Sequence, residues 1–437
     1  MPYRAVFAVV EFRYVFVAHL LSTLGTVLCE IGLSVLVYRM TGSPLLSALT
    51  FALGLLPYLI GGTALAAVAD RYPARRVLVA CDLLCALAAA GLTAPGMPVP
   101  ALLVLRCLIA VIAPVFTGTR MASLGEILGA GDGFVLGRSA LRLVSQLAQL
   151  TGFAAGGLLL AVLAPRAVLG VTAVTFLCSA LLLRRGTRAR AARAPTGGTA
   201  LFASLRGARE VWADRRVRAL LTYAWVPPMF VVFSEALMTP YAAARHAGSA
   251  ALGLLMCGMP IGAITAEALV GAFVSPRGRA ALSRPVAIWA VLPALAYAFD
   301  PPLPVALACQ VLTGVGICYG LGLDQWFLAA VPERLRGTAM TLLTAGLMTA
   351  QGLGMTIAGT LAEVLPIHLA IAAGGLLGLL CVTATLLHLG TTAGTIGTKI
   401  TPAGGVSESD TEDLVNNLAT VEPMPRVGSR PATATGS

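Results

Sequence analysis

Long apolar stretches separated by short polar turns dominate this chain of 437 residues. A helix that crosses the ~30 Å hydrocarbon core of a bilayer needs about 20 mostly apolar residues. The pattern predicts an all-α integral membrane protein with twelve transmembrane helices. The predicted spans, numbered in chain order, are 14–38, 45–69, 77–95, 99–124, 138–164, 166–184, 217–243, 249–274, 285–299, 303–330, 338–362 and 365–389.

Composition excludes a soluble protein. Hydrophobic residues make up 58% of the chain and charged residues only 11%, whereas a soluble domain carries about 25% charged residues. The nine cysteines lie inside the apolar stretches without a C-x-x-C pair, and buried cysteine behaves as a small hydrophobe. No pairing of nucleophile with base is evident. We therefore expect no disulfide, metal site, cofactor or enzymatic activity.

The arginines indicate topology rather than a nucleic-acid partner, although the net charge is +11. With the N-terminus inside, twenty arginines, Arg120 among them, fall in or beside the predicted cytoplasmic turns. Only Arg39, Arg166 and Arg245 fall in the opposite turns. Because cytoplasmic loops carry an excess of basic residues, both termini are expected in the cytoplasm.

An arginine-rich stretch divides the chain into two halves of six spans. We predict an N-terminal bundle at 1–183, a cytoplasmic linker at 184–216, a C-terminal bundle at 217–389 and a disordered cytoplasmic tail at 390–437. The halves echo each other, since Gly137 and Gly152 recur at Gly337 and Gly352 with an offset of 200. Parallel repeats of six spans are typical of one large transporter fold.

The segment ALAAVADRYPARR, residues 64–76, follows the second predicted span. It resembles the signature of the major facilitator superfamily at Asp70, Arg71 and Arg75. The resemblance implies that these residues form a cytoplasmic latch that locks the two halves. Asp70 would then face the start of the eleventh span near Gly337, and Glu126 is a candidate partner for Arg71.

Spans 1, 4, 7 and 10 line the central cavity of that family, and each carries one charge here: Glu30, Arg106, Glu235 and Asp324. A charge inside a span is costly and is a functional hypothesis by default. Counting from the turns places Glu30 and Arg106 at similar depth, so they can pair. Glu30 then serves proton coupling, a fixed structural ion pair or substrate contact. Glu235 is a second proton site or binds a cation, and Asp324 is a further candidate.

Two further segments resemble drug/proton antiporters of the superfamily. LVLRCLIA, residues 103–110, keeps the arginine of their fourth-span motif as Arg106. GFAAGGLLL, residues 152–160, matches their fifth-span motif except that phenylalanine replaces proline. The resemblance implies a hinge at Gly152, Gly156 and Gly157, and the alternative is a glycine packing face.

Other residues receive narrower expectations. Asp82, Glu267 and Arg142 are placed near cytoplasmic ends, where they support loop contacts, and His19 is expected to be neutral. Prolines 227, 228 and 240 are expected to break the seventh span. The aromatic residues predicted to line the substrate cavity are Phe116, Tyr223, Trp225, Phe230, Phe233, Tyr319 and Trp326.

The sequence, with this resemblance, predicts a secondary transporter of the bacterial inner membrane that works as a monomer. It would export a small apolar or cationic compound by proton antiport. Its partners would be that solute, protons and the lipid bilayer, with no nucleic acid. The alternatives are metabolite uptake or uniport, lipid flipping, and a transporter-like sensor or scaffold.

Overall fold

The structure is a computed structural model that describes residues 3–58, 72–129, 132–188, 190 and 207–394. Every regular element in these ranges is helical. A short helix, Tyr3–Ala8, comes first. The longer helices are α1 (Val10–Thr41), α2 (Pro44–Leu55), α3 (Ala74–Leu92), α4 (Val99–Leu128), α5 (Asp132–Val162), α6 (Pro165–Gly186), α7 (Arg215–Ala244), α8 (Ser249–Phe273), α9 (Pro276–Trp289), α10 (Leu303–Gly316), α11 (Arg336–Val364) and α12 (Ile367–Gly394).

Ten helices within the described ranges are long and apolar enough to cross a membrane. One of the ten, Leu303–Ala330, includes more than α10. A 3₁₀ turn at Ile317–Tyr319 joins α10 to a further helical segment, Gly320–Ala330. Two predicted spans are not among the ten. One is represented by α2, a shorter apolar helix, and its predicted range runs on beyond residue 58 into residues outside the described ranges; the other is α3. The all-helical membrane fold is confirmed, while the number of twelve spans stays a prediction.

The ninth span is longer than predicted. The stretch before residue 285 was expected to be a loop, yet α9 begins at Pro276 and a 3₁₀ helix continues it from Leu292 to Phe299. The Ser275 hydroxyl accepts the N–H of Gly278 at 3.2 Å and so caps the helix. Pro276 fits the first turn, where an N–H has no helical partner. The arginines of the expected loop therefore lie on a helix.

The prolines of the seventh span do not break it, contrary to expectation. Pro227, Pro228 and Pro240 all lie inside α7. Pro228 has no N–H to donate to the carbonyl of Ala224, one turn earlier. The hydroxyl of Tyr319 donates to that carbonyl instead, at 3.1 Å. A neighbouring helix thus satisfies the freed backbone group, which is how membrane helices tolerate proline.

Helices from both halves of the chain pack into one unit that ends at Thr392. Within the first half α1 packs on α5 and α6, and within the second half α7 packs on α11 and α8 on α10. The halves meet where α5 packs on α8 and where α2 packs on α11. The bundles at 1–183 and 217–389 stay a prediction, because the linker is described only in part and the tail lies almost wholly outside the described residues.

The three glycines predicted for a hinge lie at close helix contacts. A Cβ on Gly152 would lie 2.8 Å from Val27, and a Cβ on Gly156 would lie 2.7 Å from Ile31. The second contact lies four residues further along the chain on both helices, so α5 and α1 run parallel. Small residues let helices approach closely in lipid, and these glycines allow α5 to lie against α1.

The interface between the halves also depends on glycine. A Cβ on Gly157 of α5 would lie 2.5 Å from the Cα of Gly253 on α8. On the other side a Cβ on Gly359 of α11 would lie 2.9 Å from the Cα of Leu45 on α2. Glu363 accepts the hydroxyl of Ser43 and the N–H of Leu45, at 3.0 Å for the latter. A carboxylate from the second half thereby caps the start of α2.

The helix contacts relate the two halves by a residue offset that differs from the predicted 200. Gly152 contacts Val27 in the first half, and Gly354 meets the backbone of Met229 in the second. One contact maps onto the other when both residue numbers are shifted by 202. The structure therefore relates Gly152 to Gly354, two residues away from the predicted match at Gly352.

Gly157→Val tests the α5–α8 contact. The added side chain would collide with the backbone of Gly253, which cannot move aside as a flexible side chain can. We expect the free energy of unfolding to fall by about 1–3 kcal/mol, measured as a lower thermal midpoint of the purified protein in detergent. Gly271→Val in α8 is the control, because nothing lies within 4 Å of a Cβ there. Equal midpoints for the two variants would contradict the packing account.

Candidate functional site

Glu30 and Arg106 form the ion pair that their depths predict. Nη2 of Arg106 on α4 donates to Oε1 of Glu30 on α1 at 2.8 Å. The Nε of Arg106 donates to the backbone oxygen of Thr50 on α2 at 3.1 Å. Arg106 is 1% exposed, whereas the Glu30 side chain is 22% exposed. The arginine is therefore fixed by two helices, and the carboxylate keeps access to an adjacent cavity.

Gly54 makes room for this arginine and was not foreseen from the sequence. A Cβ at Gly54 would lie 1.9 Å from Nη2 of Arg106. α2 therefore approaches α4 closely only because this position has no side chain. Glycine is common in membrane helices, so no sequence signal separates Gly54 from the others.

Asp82 is buried within the first half, not near a loop as the sequence suggested. It is 1% exposed on α3. Its Oδ1 accepts the hydroxyl of Ser22 at 3.3 Å, and its Oδ2 accepts the hydroxyl of Ser179 at 2.5 Å. These two serines lie on α1 and α6, so the carboxylate ties three helices together.

Arg120 was counted among the cytoplasmic arginines, yet it is 6% exposed inside the bundle. Its Nη1 donates to Nδ1 of His19. The Nε2 of His19 lies 2.7 Å from the Ser145 hydroxyl, which itself donates to the carbonyl of Leu141. Nδ1 therefore accepts and Nε2 donates, so His19 is a neutral imidazole in this arrangement, as expected. Hydropathy alone places a charge near an interface and so missed Arg120.

These groups surround one cavity of about 310 Å³ in the first half. Glu30, Arg106, Asp82, Arg120 and His19 all line it. The remaining polar lining comes from serine, threonine and glutamine side chains, namely Ser22, Thr23, Thr26, Thr117, Ser145, Gln146 and Gln149. The first cavity is therefore polar and contains an ion pair, a further carboxylate and a further guanidinium.

A second cavity of about 250 Å³ has a different character. Its acidic lining comes from Glu235 on α7, Glu267 on α8 and Asp324 beyond α10. Arg142 of α5 also lines it and lies 3.9 Å from Glu267. The sequence had placed Glu267 and Arg142 at loop contacts, so both are corrected to cavity positions. The described residues include no group of three side chains suited to hold a metal ion.

The four intramembrane charges predicted from the sequence thus divide between the two cavities. Glu30 and Arg106 lie in the first, while Glu235 and Asp324 lie in the second. α5 lines both cavities, with Gln146 in one and Arg142 in the other.

Of the predicted cavity aromatics, Phe116 lines the first cavity and Tyr319 the second. The others line neither. Tyr223 is buried and its hydroxyl donates to the carbonyl of Ser283 at 2.8 Å, and the indole of Trp225 donates to the carbonyl of Leu343. The remaining three pack within the second half, and they are Phe230, Phe233 and Trp326.

The predicted latch falls largely outside the described residues, since Asp70 and Arg71 are not described. Arg75 is described, and its guanidinium donates to the backbone oxygen of Arg184 at the end of α6. Glu126, the expected partner of Arg71, lies 3.8 Å from Nε of Arg190. Arg190 also makes two bonds to Glu11, at 2.6 and 2.7 Å.

Gly54→Ala tests how α2 holds the ion pair. The methyl group would displace the guanidinium of Arg106, and we expect the free energy of unfolding to fall by about 1–3 kcal/mol, measured as a thermal midpoint. The same change in an Arg106→Ala background should have little effect, because the small side chain leaves space. An equal loss in both backgrounds would show that Gly54 acts through another contact. Gly118→Ala on α4, where nothing lies within 4 Å of a Cβ, is the control.

Comparison with known proteins agrees with this fold. The multidrug efflux pump Tap of Mycolicibacterium fortuitum is 27% identical over 353 residues, which are 76% of this chain and 84% of the pump. The nucleoside transporter NupG is 15% identical with a TM-score of 0.67, covering 87% of this chain and 99% of its own. The xylose transporter XylE from E. coli, in an inward-open conformation, is 16% identical with a TM-score of 0.64, covering 94% and 99%.

At such identities the two solved structures show the fold alone. The sequence profile of the Major Facilitator Superfamily, in contrast, matches residues 15–284, more than half of the chain. With the helical bundle and its paired halves, this match shows that the chain belongs to the Major Facilitator Superfamily of membrane transporters.

Proposed function

We propose that this chain exports a small apolar or cationic compound, a drug or natural product, by proton antiport. The observation that carries the proposal is the Glu30–Arg106 pair, with Arg106 fully buried and Glu30 open to the first cavity. The similarity to Tap, which is named a multidrug efflux pump, supports export as the direction of transport.

Proton coupling follows from the chemistry of such a pair. A carboxylate beside a guanidinium is held in its charged form, while a carboxylate that loses this partner in an apolar surrounding favours its protonated form. If the movement of the halves separates Glu30 from Arg106, Glu30 takes up a proton in one conformation and releases it in the other. Arg106 is anchored to α2 through Thr50, so movement of α2 against α1 would alter the pair.

The second cavity supports a cationic or apolar solute. It combines Glu235, Glu267 and Asp324 with an apolar lining that includes Val231, Met259 and Leu347 among others. Carboxylates attract a positive charge, and apolar side chains bind the rest of such a compound. Phe116 and Tyr319 add an aromatic surface to the two cavities.

The proposal includes the architecture in which this transport would operate. The two bundles would rock against each other at the α5–α8 and α2–α11 contacts, with Gly152, Gly156 and Gly157 allowing α5 to move closely over its neighbours. Asp70, Arg71 and Arg75 would form the cytoplasmic latch. The chain would act as a monomer in the bacterial inner membrane with both termini in the cytoplasm, as the distribution of arginines supports.

Glu30→Gln tests the proposal in cells. The full chain is expressed in a drug-sensitive bacterium that lacks its own pumps, and growth inhibition is measured across lipophilic and cationic antibiotics. We expect the wild type to protect against some of them. Glu30→Gln should fall to the level of cells without the chain, because glutamine cannot carry a proton.

Glu333→Gln is the matched control, since that carboxylate is 86% exposed and outside both cavities. It should protect as the wild type does, at equal abundance in the membrane. Protection that survives in Glu30→Gln would exclude Glu30 as the coupling group. A rise in the cellular accumulation of the compounds would show uptake and contradict export.

A further inference from the structure

Arg120 is a buried cation that the ion pair of Glu30 and Arg106 does not explain. It is 6% exposed, lines the first cavity and lies with its guanidinium carbon 5.2 Å from the centre of the Phe116 ring. Its Nη1 donates to His19. Its Nε has no hydrogen-bond partner, and Arg120 makes no salt bridge within the described ranges.

The acidic groups around Arg120 are already engaged. Asp82 uses one oxygen for Ser22 and the other for Ser179. Glu30 bonds Arg106 at 2.8 Å. His19 is neutral and offers only a nitrogen lone pair. Arg120 is therefore close to acceptors but has no counter-ion of its own in direct contact.

A buried guanidinium with an unused donor is costly, because water no longer solvates it and no carboxylate replaces that water. Most buried polar groups in proteins have a partner, so an exception requires an explanation. Arg120 also lines a cavity large enough for part of a ligand, although its Nε itself is buried. Guanidinium groups bind carboxylates and other planar oxygen anions strongly, so an anion in the cavity would supply the counter-ion that Arg120 lacks.

We infer that Arg120 binds a carboxylate, or an equivalent anionic oxygen group, of the transported compound. The inference rests on the proposed function and deepens it, because it sets the substrate class. Gln146 and Gln149 line the same cavity and can donate further hydrogen bonds to such a group. The carboxylates of the second cavity would receive a basic amine. The preferred substrate is then an amphoteric compound with one acidic and one basic group.

The arrangement of α5 supports this division of roles. This helix contributes Ser145, Gln146 and Gln149 to the first cavity and Arg142 to the second. Arg142 and Gln146 lie one helical turn apart on α5. A compound that extends along α5 would then reach Arg120 at one end and the carboxylates of the second cavity at the other.

The test compares an amphoteric antibiotic that has one amine and one carboxylate with its methyl ester. Ester formation removes the negative charge and keeps the amine and the apolar body. Binding of each compound to the purified full chain in lipid nanodiscs is measured by calorimetry. For the wild type we expect the acid to bind about tenfold more tightly than the ester, as is typical for a hydrogen bond between charged groups.

Arg120→Gln should bind the acid about tenfold less tightly and the ester within about twofold of the wild type. Arg120→Lys keeps the charge and should still prefer the acid, by a smaller factor. Arg138→Gln changes an exposed arginine of α5 that lines neither cavity, so it is the control and should match the wild type. Thermal midpoints of all variants verify that they are folded.

Three results would overturn the inference. They are a wild type that binds the acid no better than the ester, an Arg120→Gln variant that loses both compounds equally, and one that loses neither. The proposed function is judged separately by efflux of the ester from cells, which needs only the amine. Efflux of the ester with no preference for the acid would leave export standing and remove Arg120 from the binding site. A wild type that does not export the ester from cells would refute the proposed export. The calorimetry would still decide whether Arg120 binds the acidic group.

Discussion

The energetic cost of a charge inside the membrane constrains this molecule more than any other interaction. Each charged side chain at the centre of a span costs at least about 2.5–3.5 kcal/mol, and the bundle compensates for that cost in different ways. Arg106 has a carboxylate and a backbone oxygen as partners. Asp82 has two serine hydroxyls. Within the described residues, Arg120 has a neutral histidine as its hydrogen-bond partner and the Phe116 ring beside it. Of these three groups, Arg120 has the least compensation, and it is the one proposed to bind a ligand.

Close helix packing and buried charge depend on each other in this fold. Gly54 brings α2 near enough for the Thr50 carbonyl to hold Arg106. The same α2 packs against α11, where Gly359 and Glu363 meet its start. A movement of the two halves along this contact would reach Arg106 through one short helix. Packing thus provides a physical route from the interface of the halves to the carboxylate proposed to carry the proton.

Apolar spacing in the sequence was sufficient to predict the helical membrane fold and the Glu30–Arg106 pair, because depth along a span follows directly from residue count. The same reasoning failed for Asp82 and Arg120. Charges near a span end usually mark an interface, and only the packing of α3 and α4 shows that these two are interior. Gly54 could not have been singled out, since the need for a glycine arises from a helix distant in sequence. The loop expected before α9 was wrong because Ser275 and Pro276 start a helix despite the nearby arginines.

The most direct test of the central claim is proton release upon substrate binding by the purified protein in weakly buffered detergent, followed with a pH-sensitive dye. If solute binding favours the conformation in which Arg106 holds Glu30 in its charged form, addition of a transported compound releases protons from the wild type and none from Glu30→Gln. A wild type that binds the compound without releasing protons, or a Glu30→Gln variant that releases as many, would contradict the account.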